Sequence, residues 1–104
     1  MMPQASKTWC PAIELKEVGH DLILKAELPG VRRQDMHVRA EGDALVIEGE
    51  RSHNPELQGE ELIPSELHYG KFECHVPLPM PIVGDRVRAE LIDGVLTVSM
   101  PTSV

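Results

Sequence analysis

The sequence predicts an all-β fold of about seven strands arranged in two packed layers. Gly and Pro residues divide the 104-residue chain into short pieces of about five to nine residues, which suit strands better than helices. Within these pieces apolar and polar side chains alternate, so each strand has one apolar face. No Gly- and Pro-free window of about 10–12 residues carries an apolar stripe of helical period. The apolar faces of such strands are buried when two sheets pack face to face, which is the arrangement of a β-sandwich.

The strands follow one another along most of the chain. The alternating pieces lie at residues 13–16, 22–28, 36–40, 44–47, 72–78, 87–91 and 96–100. Residues 44–47 are apolar on both faces, which predicts a central strand covered on both sides. Residues 32–35 are the one helical feature, about one turn long.

Charge and composition exclude several classes of partner. Seventeen acidic and ten basic residues give a net charge of −7, which disfavours nucleic acid and anionic membranes. The three aromatic residues, Trp9, Tyr69 and Phe72, are too few for base-stacking platforms. The longest apolar run, at residues 44–47, is too short for a transmembrane span or a secretory signal. These features predict a cytoplasmic protein.

The cysteines predict no disulfide scaffold. Cys10 and Cys74 are 64 residues apart, and a disulfide-rich domain would contain more cysteines at closer spacing. One bridge is possible, but two free thiols in a reducing compartment are the prediction. Cys74 is in phase with Phe72 and Val76, so it is interpreted as a packed core or interface thiol, with a redox switch as the alternative.

Catalytic and metal-binding motifs are not found in the sequence. It contains no nucleophile elbow, phosphate-binding loop, HExxH or CxxC pattern. Cys74 and His75 point to opposite faces of a strand and cannot share a metal ion. The remaining histidines are scattered, with no second His or Cys two or four residues further on: His20, His37, His53 and His68. We therefore expect no catalytic residue, no metal, no cofactor and no use of ATP.

The segment from Ser52 to His68 breaks the strand rhythm. It is polar and rich in glutamate, with a short apolar centre at Leu62 and Ile63. A connection this long in a small domain is usually functional or mobile. Leu62 and Ile63 are predicted to form a short extra strand that adds to the sheet of another subunit, because pairing at an open edge needs only extended backbone. The alternative is an acidic loop that exchanges nothing.

Two apolar stripes lie on strands expected at sheet edges. One stripe is Met36, Val38 and Ala40, and the other is Val87, Ala89 and Leu91. A sandwich that is not sealed along such edges leaves an apolar slot, where each buried Val or Ile contributes about 1.5–3 kcal/mol. The slot would dock extended apolar segments. The alternative is that both stripes belong to the core.

Three blocks of sequence, taken together and in order, resemble the α-crystallin domain of the small heat-shock proteins. Residues 21–51 contain a Leu-Pro-Gly turn and end in Gly-Glu-Arg, and residues 69–79 read YGKFECHVPLP. Residues 89–101 carry the family's Ala-x-Leu-x-Asp-Gly-Val-Leu signature. The resemblance runs from near Pro11 to Pro101.

The resemblance implies a fold and an activity. It implies an immunoglobulin-like sandwich and a holdase that binds unfolding client proteins without ATP. The slot between the two apolar stripes would then receive an Ile-x-Ile tail from a neighbouring subunit. A co-chaperone-type sandwich that docks one folded partner is the alternative, although that type generally lacks the long loop and the signature block.

The resemblance also implies a homodimer and a structural turn. The dimer would form by exchange of the loop strand, through the residues Leu62, Ile63, Tyr69 and Cys74. In the turn at Asp93 and Gly94, Gly94 supplies a positive φ that lets the last two strands reverse.

Departures from the family pattern modify these expectations. Cys74 stands where members usually carry an interface Arg, which predicts a weaker dimer. The domain boundaries are a short N-terminal tail at residues 1–10, the α-crystallin domain at 11–101 and a C-terminal remnant at 102–104. The family's long N-terminal arm and Ile-x-Ile tail are not in this sequence, so large shells are not expected from this chain alone.

Overall fold

Two antiparallel sheets stack to form the molecule. The computed structural model describes residues 9–52, 59–63, 65 and 67–103. Within these residues the strands are β1 (Ile13–Val18), β2 (Asp21–Glu27), β3 (Met36–Glu41), β4 (Ala44–Arg51), β5 (Gly70–Pro77), β6 (Arg88–Ile92) and β7 (Val95–Pro101). The first sheet has the order β1-β2-β7-β6 and the second the order β3-β4-β5. The predicted all-β sandwich of about seven strands is confirmed.

The core lies between the sheets and is built from the alternating positions of the central strands. In β2 and β7 every second side chain is fully buried, and the two strands pair in register, with Leu24 opposite Val98. The second sheet contributes the inward side chains of β4 and β5. The buried core residues of these four strands are Leu22, Leu24, Ala26, Leu45, Ile47, Phe72, Val76, Leu96, Val98 and Met100. Burial of each large side chain contributes about 1.5–3 kcal/mol, so the predicted period of two also marks the residues that stabilise the fold.

The outer face of β4 is covered by long side chains instead of a third layer. Val46 faces away from the core and yet has no exposed surface. Its neighbours in register are Arg39 on β3 and His75 on β5. Arg39 is held by ion pairs with Glu48 and, at 3.7 Å, with Glu41. The aliphatic stem of an arginine can cover apolar surface. The apolar residue on the outer face of β4 is therefore buried without a third layer of structure.

Short 3₁₀ turns carry the chain between the sheets. The turn Arg33–Asp35 leads into β3 and confirms the one-turn helix predicted there. Nε of Arg32 donates a hydrogen bond of 2.8 Å to Asp35 Oδ2 across this turn. A second turn, Gly84–Arg86, leads back into the first sheet. Within the described residues no helix is long and apolar enough to cross a membrane.

A two-residue turn joins β6 to β7. Asp93 has φ +52° and Gly94 φ +79°, and two consecutive positive φ values are the mark of a type I′ hairpin turn. The carbonyl of Gly94 accepts a 2.8 Å hydrogen bond from the backbone N–H of Leu28. A Cβ at this position would lie 3.1 Å from the Cα of Pro29, so space as well as conformation favours glycine.

Residues that the sequence pattern assigned to the tail lie against the second sheet. Trp9 forms a parallel bridge with Phe72 of β5, and Pro11 is buried. The carbonyl of Ala12 accepts a hydrogen bond of 3.1 Å from the N–H of Glu27 in the first sheet. Residues 9–12 thus span the rim between β5 and β1. Periodicity compares only near neighbours along the chain and carries no signal for such a long-range bridge.

The strand expected at Leu62 and Ile63 is not formed in this single chain. Both residues lie in a bend, and their side chains are 89% and 78% exposed. An extended segment is stable as a strand only where a sheet edge supplies hydrogen-bond partners, and no strand of the described part of the chain pairs with Leu62 or Ile63. Residues 53–58, 64 and 66 of the same loop lie outside the described residues.

Candidate docking groove and subunit interface

The predicted apolar stripes lie on two edge strands of different sheets. β3 is the edge of the three-stranded sheet and β6 the edge of the four-stranded sheet. The two edges border a common depression of about 230 Å³, the β3–β6 groove. Its apolar lining is Met36 and Val38 from β3 with Ala89 and Leu91 from β6, above Leu96 of the core.

The local sequence explains why these side chains point into the groove. Ala89 pairs in register with Val98 and Leu91 with Leu96, so both share the inward face of the first sheet. Met36, Val38 and Leu91 are half-buried against the core, whereas Ala89 is exposed. An edge strand keeps one row of backbone N–H and C=O groups unpaired, which is a template for another strand. The groove therefore combines backbone donors and acceptors with an apolar floor.

Two residues of the predicted stripes lie outside the groove lining. Ala40 is exposed, and its Cβ faces the 3₁₀ turn at Gly84, where an added Cβ would lie 3.6 Å away. Val87 is half-buried against the core just before β6, and it lines a neighbouring depression with Arg86 and Arg88. Both residues keep the alternation expected from the sequence. Both also lie beside the second 3₁₀ turn, outside the part of the rim where β3 and β6 border the groove.

The size and lining of the groove indicate the kind of ligand it can hold. A volume of about 230 Å³ is below the range of about 300–1,000 Å³ that is usual for small-molecule sites. Arg33, His37 and Glu90 add polar groups at its margin. An apolar floor, polar margins and open strand edges fit one or two aliphatic side chains on an extended peptide.

The predicted dimer residues do not form one patch in the single chain. Leu62 and Ile63 are exposed on the long loop, and Tyr69 is half-buried just before β5. Cys74 points into the sandwich and is only 6% exposed. The first sheet has an open edge at β1, where Ile13 is 40% and Val18 59% exposed.

The prediction of two free thiols is wrong. Cys10 and Cys74 form a disulfide, with their Cα atoms 5.4 Å apart. The bridge between Trp9 and Phe72 carries Cys10 to the edge of β5, within the distance that a disulfide requires. A separation of 64 residues gives no indication of this proximity, because only the fold brings the two cysteines together.

Histidines and carboxylates are distributed over the outer surface. Nε2 of His75 lies 2.9 Å from Oε2 of Glu73. Within the described residues no group of three or more His, Cys, Asp or Glu is placed to hold a metal ion. His53 lies outside the described residues.

Sequence reasoning missed a cluster around Trp9. Its indole is stacked on His68 at 5.5 Å, tilted against Phe72 at 4.9 Å and lies 4.5 Å from the guanidinium carbon of Arg51. The indole N–H donates to the carbonyl of Gly70 at 3.3 Å. The one available signal was that the only Trp and one of two Cys residues are adjacent in a tail without periodicity.

Comparisons of sequence and structure agree on the relatives of this chain. Spore protein SP21 of Stigmatella aurantiaca is 36% identical over 98 residues, covering 94% of this chain and 58% of that protein. The 16.9 kDa class I heat shock protein 1 of rice, Oryza sativa subsp. japonica, is 38% identical over 90 residues, covering 86% and 60%. The chain thus spans about three fifths of the length of these relatives.

Solved structures match over nearly the whole chain. The hspA protein of Xanthomonas axonopodis superposes with a TM-score of 0.82 at 29% identity, covering 92% of this chain and 96% of that one. A small heat-shock protein of Xylella fastidiosa gives 0.79 at 31% identity, covering 93% and 89%. The sequence matches the Hsp20/alpha crystallin family over residues 14–104, and the chain therefore belongs to this family.

Proposed function

We propose that this chain is an ATP-independent holdase that binds extended apolar segments of unfolding proteins in the β3–β6 groove. The observation that carries the proposal is the groove itself, where Met36, Val38, Ala89 and Leu91 form an apolar floor between two strand edges. Unfolding proteins expose apolar side chains on extended backbone, and that combination matches what the groove presents. No covalent step is needed, and the proposed activity is not enzymatic.

The proposed compartment is the cytoplasm. Two cysteines are few for a secreted disulfide scaffold, which supports this assignment. In that compartment disulfides are ordinarily transient, so the Cys10–Cys74 bond would form and break with redox conditions.

A homodimer formed by strand exchange is the second part of the proposal. Leu62 and Ile63 are apolar, adjacent and almost fully exposed, a pairing that favours burial against another surface. The open edge of β1 offers unpaired backbone groups and the exposed side chains of Ile13 and Val18. The Xylella fastidiosa relative is described as having a distinct high order structure, which supports self-association in this chain as well.

The groove is tested by placing a charge on its floor. Ala89→Asp puts a short carboxylate at an exposed groove position, so we expect the sandwich to remain folded. The protein concentration that halves light scattering by a heated client, without ATP, should rise about tenfold, because an uncompensated buried carboxylate costs at least about 1.4 kcal/mol.

The control for this variant is Ile92→Asp. Ile92 lies on the same strand but pairs with Val95 on the outer face, where its side chain is 56% exposed. It should suppress scattering as well as the parent chain does. Equal loss in both variants would contradict docking in the groove, and no suppression by the parent at several-fold molar excess would contradict the holdase itself.

Strand exchange is tested by charging its apolar centre. Deletion of residues 58–66, or the double substitution Leu62→Asp and Ile63→Asp, should convert a dimer to a monomer, because two carboxylates cannot be buried at a subunit contact without partners. Light scattering with size-exclusion chromatography gives the mass. Leu67→Asp, at a position that is 66% exposed, is the control and should leave the dimer intact. An unchanged mass in the double variant would show that the loop does not pair the subunits.

A further inference from the structure

The rim between β1 and β5 differs from the open rim at the β3–β6 groove. Here residues 9–12 cross from the edge of β5 to the first sheet, and Pro11 within this segment is buried. Trp9 pairs its backbone with Phe72 in a parallel bridge, as an added edge strand would. The chain therefore covers one of its own sheet edges with a short extended segment.

The side chain of Trp9 occupies a pocket assembled from three parts of the chain. Arg51 at the end of β4, His68 from the long loop and Phe72 of β5 surround the indole at 4.5–5.5 Å. Stacking and cation–π contacts of this kind favour an aromatic ring at this position without a covalent bond. Beside Trp9 the surface continues as a depression of about 590 Å³, lined in part by Arg51 and His68.

One polar atom of this pocket is not satisfied. Nε of Arg51 is buried and has no hydrogen-bond partner within the described residues, although its Nη1 donates to the carbonyl of His68 at 3.0 Å. A buried donor without an acceptor destabilises the structure that contains it. The pocket thus retains an unused donor next to the aromatic ring, and a carbonyl of a bound segment could satisfy it.

The disulfide is what fastens the covering segment. Cys10 follows Trp9 directly and is exposed, whereas Cys74 on β5 is 6% exposed. A thiolate can reach the sulfur of Cys10 but not readily that of Cys74. The disulfide adds a covalent tie to the non-covalent contacts of Trp9, so reduction leaves only those contacts to hold the segment against a competing one.

We propose that the Cys10–Cys74 disulfide is a redox latch over a second docking site, the β5 edge with the Trp9 pocket, and that reduction opens this site to an extended client segment bearing an aromatic side chain. The proposal rests on the holdase function proposed above and adds a second, regulated surface to it. The occupant is specified by the chain's own Trp9, which shows that the pocket accepts an aromatic ring on a segment paired with β5.

The chemistry of opening is thiol–disulfide exchange with a dithiol reductant. A thiolate of the reductant attacks Sγ of Cys10, forming a mixed disulfide and releasing Cys74 as a thiolate. The second thiolate of the reductant then attacks the reductant's other sulfur, which is bonded to Cys10 in the mixed disulfide, and Cys10 is released as a thiolate. The reductant is oxidised to its disulfide, two electrons pass to the protein, and both cysteine thiolates take up protons.

The opening step has a direct optical test, because Trp9 is the only tryptophan. Treating the oxidised chain with dithiothreitol should increase quenching of Trp9 fluorescence by acrylamide. Cys10→Ser should show the same high quenching without reductant and no further response to it. Unchanged quenching in a chain with two titratable thiols would overturn the latch, as would the absence of the disulfide from air-oxidised protein.

The docking step uses a labelled peptide of residues 6–12 with serine in place of the cysteine. It should bind the reduced Trp9→Ala chain at least about tenfold more tightly than the oxidised Trp9→Ala chain, because only the disulfide then holds the tethered segment over the β5 edge at high effective concentration. Arg51→Ala in the reduced Trp9→Ala background should weaken binding. Equal binding to the oxidised and reduced Trp9→Ala chains would overturn the second site, and so would a concentration-dependent rise in mass on reduction, which indicates that a second copy is the occupant.

These readouts separate this proposal from the holdase. Trp9 release and peptide binding involve no aggregating client, so they can succeed in a chain that suppresses no aggregation. Conversely, suppression that is the same before and after reduction, with Trp9 quenching unchanged, would leave the β3–β6 groove as the docking site and overturn the latch.

Discussion

Replacing Gly49 by alanine is expected to destabilise the sandwich by about 3 kcal/mol, the upper part of the usual range for overpacking a closed core. Gly49 lies in β4, in register with Met36 on one side and Phe72 on the other. A Cβ at this position would collide with the backbone oxygen of Asp35 and lie 2.7 Å from Cζ of Phe72 and 3.0 Å from the Cα of Met36. Two of these three atoms belong to the backbone and cannot rotate away, so the start of β3 must move.

Urea unfolding followed by circular dichroism measures this loss. Gly84→Ala is the matched control, because an added Cβ there lies 3.6 Å from the Cβ of Ala40, which is an ordinary contact. It should change the free energy of unfolding by about 0.5 kcal/mol or less. If both variants unfold at the same urea concentration, the close approach of β3 to Gly49 is not a feature of the folded protein.

The Gly49 variant also bears on the docking groove. Met36 follows Asp35 and lines the β3–β6 groove, so a displacement of β3 changes the groove along with the core. The glycine was visible in the sequence as part of the Gly-Glu-Arg end of the first block. The reason for it was not, because that reason is the passage of the 3₁₀ turn across β4, which only the folded chain reveals.

The alternation of apolar and polar residues along the chain was sufficient to predict the strands and the two edge strands that border the groove. Alternation identified Leu24 and Val98 as core, and double-sided hydrophobicity identified Val46 as part of a central strand. These predictions succeed because side-chain direction in a strand depends only on position along it. Met36 and Leu91 could be paired across the groove only with the help of the family resemblance, since alternation does not say which sheets the strands join.

Long-range contacts between irregular segments could not be predicted. The disulfide of Cys10 with Cys74 and the seat of Trp9 on Phe72 join residues more than 60 positions apart, one of them in a segment without periodicity. The number and spacing of the cysteines predicted free thiols, because these features indicate the compartment and the class of protein. They do not indicate how far apart the two cysteines lie in the folded chain. Leu62 in the loop lies in a bend and is almost fully exposed, so the strand exchange predicted for it stays a prediction.

Phe72→Ala should have the largest effect of any single side-chain truncation on the β5 side of the molecule. Phe72 is 1% exposed, its ring lies over Gly49, and its other face contacts the indole of Trp9. Truncation of a buried phenylalanine costs about 3–5 kcal/mol, because the lost transfer free energy is joined by the cavity left behind. Gly49 has no side chain that could fill this cavity, so we expect the upper part of that range.

The matched control is Ile92→Ala, which removes an apolar side chain that is 56% exposed on the outer face and should cost about 0.5 kcal/mol. Phe72→Leu should recover part of the lost stability, since it restores most of the apolar volume but not the ring contact with Trp9. Urea unfolding under oxidising conditions measures all three variants with the disulfide intact. A loss below about 1 kcal/mol for Phe72→Ala would mean that the cavity collapses around Gly49. Gly49→Ala keeps the Phe72 ring and would still place a Cβ against the backbone oxygen of Asp35, so the two expected losses are independent tests of the packing around β4.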